Sequence, residues 1–123
     1  MSTHSSITVK CTDGIYRGIY CQFDGYPDHM LEMLSKYYDG QQLAEEVVNF
    51  GDASYIDATI ETCCFYHRDR GEDFEDVKPI ILKIEPENES IIKAHHIPKL
   101  MNNVQEYNYL FDGSWKLIGA DRS

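Results

Sequence analysis

Basic residues are scarce in this chain. Lys and Arg total 11 against 21 Asp and Glu, and the formal net charge is −10 at pH 7. A protein that grips phosphate backbones needs a basic footprint, so direct nucleic-acid binding is not expected. Long apolar runs are also missing, which excludes a helical membrane span. The opening Met-Ser-Thr-His-Ser-Ser has no basic end followed by an apolar stretch. That predicts no secretion signal and a cytoplasmic protein, in a host-cell cytosol. Cysteine is limited to Cys11, Cys21, Cys63 and Cys64, which in a reducing compartment are expected as buried thiols. Gly-x-Ser-x-Gly elbows and phosphate-cradling glycine loops do not occur. No catalytic residue, cofactor or metal is therefore assigned.

Two clusters look like metal ligands on paper. Cys63 and His67 would share the face of a strand, yet sit roughly 13 Å apart at about 3.3 Å per residue, too far for one zinc ion. His95, His96 and His29 would need folding to join them. His67-Arg68-Asp69 copies the start of a kinase catalytic loop, but the chain is too short and lacks its companion motifs; a strand end followed by a salt-bridged turn is expected instead, with Arg68 or Arg70 paired to Asp69 or Glu72.

What is present is enough for one domain: 123 residues, 42% of them hydrophobic, with nine Tyr, five Phe and one Trp. Ile7 to Cys11 alternates apolar and polar, Thr12-Asp13-Gly14 is a hairpin signal, and Ile15 to Phe23 is the return strand. A two-residue loop would set Tyr16 and Tyr20 beside Cys11 and Ile7; a three-residue loop with Gly14 left-handed would set Ile15 and Ile19 there. Asp24-Gly25-Tyr26-Pro27 then turns the strand into a helix running to about Tyr38, with Asp28 as its N-cap. Asp39-Gly40 joins it to a second helix, Gln41 to Phe50, with Leu43, Val47, Val48 and Phe50 inward and Gly51 just past its end. Residues 52–60 read as a loop, Thr62 to His67 as a strand, and Arg68 to Asp76 as a charged loop. Val77 to Ile84 reads as a short buried strand, with Pro79 marking an edge or a late start. A short helix is expected over Lys99 to Gln105, starting near Pro98. Tyr107 to Phe111 and Ser114 to Ile118 close the chain as a hairpin, and residues 119–123 are expected to fray. The fold class is α+β, a mostly antiparallel sheet of about five or six strands with a helical hairpin packed on one face.

Several segments are distinctive together: the Met-Ser-Thr-x-Ser start, Tyr20-Cys21-Gln22-Phe23-Asp24-Gly25-Tyr26-Pro27, Tyr66-His67-Arg68-Asp69-Arg70-Gly71-Glu72, and the closing Tyr-x-Tyr-Leu-Phe hairpin with Trp115. In these the chain resembles a family of small proteins carried by phages, prophages and other mobile elements. The resemblance spans most of the chain and departs at His4, Gln22, Phe23 and His67, where the family has Arg, His, Trp and Gly. It implies a mobile-element origin, and proteins of that origin frequently block host defences.

Two candidate surfaces follow. Between residues 69 and 89 the acids Asp69, Glu72, Asp73, Glu75, Asp76, Glu85, Glu87 and Glu89 face only Arg70, Lys78 and Lys83. A negative patch of that kind competes for a basic surface on a partner protein. Its partner-binding residues would be Glu72, Asp73, Glu75, Asp76, Glu85 and Glu87. The expected role is a non-enzymatic inhibitor of a host defence protein, a CRISPR effector being one target. The alternative is a small-ligand protein that sequesters a nucleotide-derived signal. There Tyr26, Tyr66, Arg68 and Arg70 would hold an anion through forked hydrogen bonds. The oligomeric state is left open, a homodimer included.

Overall fold

Ser5–Lys10 (β1) and Tyr16–Cys21 (β2) pair as an antiparallel hairpin in the computed structural model, which describes residues 2–120. The three-residue loop wins. Cys11 N–H donates to Ile15 O at 2.9 Å, Ile7 faces Ile19, and Gly14 takes φ +81°, a conformation that costs a residue with a Cβ. Ile7, Val9, Ile19 and Cys21 consequently share one buried face with the helices. Thr8 and Gly18 lie on the other face, where Met101 packs against both.

The first face is covered by helices Pro27–Tyr37 (α1) and Gln41–Asn49 (α2). Met30, Leu34 and Tyr38 face inward from the first, and Ala44, Val47 and Val48 from the second. Two local expectations are corrected. Asp28 is not the N-cap: Tyr26 is, without a side-chain bond, because Pro27 takes the first helical position and needs no N–H partner. Leu43 is exposed, since the i, i+3, i+4 stripe of α2 starts at Ala44.

The closing hairpin, Tyr107–Phe111 (β6) and Trp115–Ala120 (β7), adds to the open side of β1. Of the tail expected to fray, Gly119 and Ala120 continue β7, and residues 121–123 lie outside the described ones. β6 runs parallel to β1. Trp115 Nε1 donates to Tyr38 O at 3.0 Å and the Tyr109 hydroxyl donates to Gly25 O at 2.6 Å, which ties the hairpin to both ends of α1. The buried Tyr109 hydroxyl is held well above its usual pKa by burial. The second face carries a smaller core of Ile97, Met101 and Leu110, with Tyr16, Leu82, Ile92 and Ile118 against it. The short helix expected over residues 99–105 lies earlier, at Ile97–Leu100 (α5), with Pro98 in its first turn.

The middle of the chain departs most from its sequence reading. Residues 52–60, expected as a loop, contain strand Ala53–Tyr55 (β3), which runs parallel to β2. The strand expected over 62–67 shrinks to Cys64–Phe65 (β4). The charged loop expected over 68–76 is instead largely helical, as Tyr66–Arg70 (α3) and Phe74–Val77 (α4). Side chains explain the switch. Asp69 accepts the Phe65 N–H at 2.8 Å, and Asp73 accepts the Glu75 N–H at 3.0 Å as an N-cap. The strand expected as buried is Ile80–Leu82 (β5), and it is an edge. Pro79 delays its start, as expected, but Ile80 and Ile81 are exposed. The result is an α+β fold on a seven-stranded sheet of order β4-β3-β2-β1-β6-β7, with β5 on β2. β1–β6 and β2–β3 run parallel; the other pairings are antiparallel.

Candidate functional site

The acidic stretch follows the chain from α3 through α4 and β5 to the 3₁₀ turn Pro86–Asn88. Part of its charge is neutralised locally. Arg68 meets Asp69 at 2.9 Å, Arg70 meets Glu72 at 3.2 Å, and Lys78 meets Glu75 at 2.7 Å. Asp73, Asp76, Glu85 and Glu87 are exposed and have no ion-pair partner among the described residues. Two of these carboxylates precede β5 and two follow it. Exposed, ion-pair-free acids thus stand on both sides of one edge strand in the chain.

The proposed anion-binding set is dispersed by its own bonding. Arg68 directs Nη1 to Ile60 O at 3.0 Å, Nη2 to Cys63 O at 2.8 Å and Nε to Asp69. Its guanidinium also lies over the Phe50 and Phe65 rings, 5.4 and 5.1 Å from their centroids, and those rings stack on each other. The Asp69 bond holds Arg68 above its usual pKa, and the Asp69 carboxyl is lowered by the same contact. Arg68 therefore stitches the loop before β4 to α2 and α3, with its forked face already occupied. Tyr26 meets His29, with ring centroids 5.9 Å apart. Tyr66 and Arg70 do stay together: Arg70 stacks on the Tyr66 ring at 4.5 Å, and Tyr66 donates its hydroxyl to Gln22 Oε1 at 2.8 Å. Two of the distinctive sequence segments are joined by that bond. His4 adds an edge contact to Tyr20 at 5.4 Å.

Asp52 went unnoticed in the sequence. It accepts the Tyr20 N–H at 2.9 Å. β2 is paired with β5 over residues 16–18 and with β3 at Cys21, so this carboxylate fills the gap between them. Burial pushes its pKa up to about 6, with Glu72 adding to the rise. Only the Gly51-Asp52 pair after a helix could have hinted at it.

Cys11, Cys21 and Cys63 are buried, and burial raises the pKa of each, for Cys21 to about 12. Cys63 Sγ lies 3.2 Å from the Tyr38 hydroxyl and accepts the Asp57 N–H. Among the described residues no three His, Cys, Asp or Glu side chains gather to hold a metal ion. The His95 and His96 rings lie 4.1 Å apart between centroids, and His96 Nδ1 accepts the Lys93 N–H at 3.4 Å. A 270 Å³ cavity opens on the second face between Lys10, Tyr16, Glu89, Ile92, Ile97 and Leu110, and a 210 Å³ groove flanks Ile81. Among the described residues no helix is long and apolar enough to cross a membrane.

Comparison with known proteins returned no matching family model, no matching curated protein and no matching solved structure.

Proposed function

We propose that the chain is a non-enzymatic binding protein of mobile-element type. It occupies a basic surface on a host defence protein, for which a CRISPR effector is one candidate, and so keeps that surface from its own anionic ligand. The observation that carries this reading is the exposed, ion-pair-free set Asp73, Asp76, Glu85 and Glu87 around β5, in a chain whose net charge is −10. Such a field steers a basic partner into encounter and rejects acidic ones. The rival small-ligand reading has less support, because Arg68 has its donors engaged by backbone carbonyls.

The test is charge reversal. Glu72, Asp73, Glu75 and Asp76 are replaced together by Lys, and the variant is used to capture partners from host lysate beside the native chain. A basic host protein should be retained by the native chain, released as salt rises past the range where the Debye length falls below about 10 Å, and lost from the variant. Equal retention by both would refute the reading. Thermal shift with cyclic nucleotides checks the rival, which a clear stabilisation would restore.

A further inference from the structure

We propose that the acidic edge engages its partner by strand addition: an extended basic segment pairs with the outer side of β5 and continues the sheet. This rests on the acidic-surface reading and specifies its mode of contact. The register makes the argument. Cys11 N–H donates to Ile15 O, so odd-numbered residues of β2 bond toward β1 and even-numbered ones bond away from it. The even residues behave accordingly: Tyr20 N–H reaches Asp52 and Gln22 N–H reaches Ala53 O. Tyr16 and Gly18 therefore bond to their β5 partners Leu82 and Ile80. Alternation then turns the N–H and C=O of Ile81 outward, where no strand pairs with β5 among the described residues.

The side chain agrees with the backbone. Ile81 is 63% exposed, far more than the apolar strand residues of the core. It borders a 210 Å³ groove whose lining is completed by Phe74, Pro79, Asn49, Arg17 and Lys78. Those two cations are already held, Arg17 by Asp13 at 2.9 Å and Lys78 by Glu75 at 2.7 Å. The groove can thus take an apolar side chain from an arriving strand, while the exposed acids Asp73 and Asp76 precede β5 in the chain and Glu85 and Glu87 follow it. Charge selects the occupant. A second copy of this chain would bring the same negative charge to the same edge, whereas a strand alternating Lys or Arg with Val or Ile matches both features. Pro79 and Lys83 border the strand and keep the template short, which disfavours runaway edge-to-edge association.

The probe is the peptide fluorescein-Gly-Lys-Val-Lys-Val-Lys-Val-Lys-amide, read by fluorescence anisotropy at low salt. Its control is the same peptide N-methylated at the three central residues, which keeps every charge but blocks backbone donation. Strand addition predicts that N-methylation weakens binding to the native chain about tenfold, the scale of one or two backbone hydrogen bonds. Ile81→Pro, checked for folding by circular dichroism, should bind both peptides at the weaker level. Equal binding of both peptides to the native chain overturns strand addition and leaves the acidic surface standing. If Asp76→Asn/Glu85→Gln/Glu87→Gln binds the parent peptide as tightly as the native chain, the acidic reading fails instead. No binding of either peptide to the native chain overturns both. Self-association of the native chain that Ile81→Pro removes would assign the edge to a second copy and overturn the basic occupant. The N-methyl comparison uses only native protein, so it decides the matter even if Ile81→Pro does not fold.

Discussion

Gly51 is the residue whose replacement should tell most about how the acidic edge is held. It ends α2 at φ +85°, and a Cβ built there would lie 2.5 Å from Val77 O and 3.3 Å from Val77 C. Val77 O accepts the Asp52 N–H at 2.8 Å, a bond that clamps the end of α4, and so the start of β5, to the end of α2. Gly51→Ala therefore does two things at once. It forces a residue with a Cβ into left-handed backbone, at about 1–2 kcal/mol. It also pushes Val77 away and loses a backbone hydrogen bond, a further 1 kcal/mol or so, more if the groups stay buried and unpaired. The sum is about 2–3 kcal/mol. Gly113→Ala is the matched control, because its φ is +83° and its Cβ meets nothing within 4 Å; it should cost about 1–2 kcal/mol, the backbone strain alone. Urea unfolding of the two variants reads the difference as a shift in midpoint at constant slope. If Gly51→Ala is no less stable than Gly113→Ala, the Val77 clamp is not real. Then the placement of α4 and β5 loses its main anchor.

Arg68→Ala should destabilise by about 2 kcal/mol through lost charge-assisted bonds to Ile60 O and Cys63 O. Arg68→Lys should recover little of it, since a point charge cannot span both carbonyls, and full recovery in thermal melts would refute a stitching role. Asp52 has a folded pKa raised to about 6 from 3.8, so its contribution to stability is fully present below about pH 3.8 and is lost as pH rises through 6. The native chain should therefore lose stability relative to Asp52→Asn across that window, with the gap constant above it. A native chain that gained stability relative to Asp52→Asn as pH rose would contradict the burial of that carboxylate. Of the four thiols, only Cys64 is not buried, so a thiol reagent should titrate one fast group in the native chain and four after denaturation. Cys64→Ser should remove the fast phase, and its persistence would place another thiol at the surface.

The α+β class, both hairpins and the paired helices were legible because each is written in local periodicity. Met30 and Leu34 sit at helical spacing, Ile7 and Val9 at strand spacing, and Gly14 marks the turn. The central stretch was not legible for a physical reason. β3, β4 and β5 have two or three residues each, too few for a period to show, and their pairing depends on partners far away in sequence. Arg68 looked like a free anion ligand because sequence cannot show that the Ile60 and Cys63 carbonyls would arrive beside it. The acids of residues 69–89 were visible at once, and so was the pairing of Arg68 with Asp69 and of Arg70 with Glu72; the Lys78–Glu75 pair was not.

The sequence alone determined the charge, the α+β class and the two hairpins, because composition and short-range spacing are properties of neighbours along the chain. Tertiary structure alone decided that the outer side of β5 is unpaired among the described residues, that Ile81 is exposed there, and that Asp52 fills the gap beside β2. Those outcomes turn on hydrogen-bond parity and on which backbone groups lack a partner, and both are set only when distant strands meet.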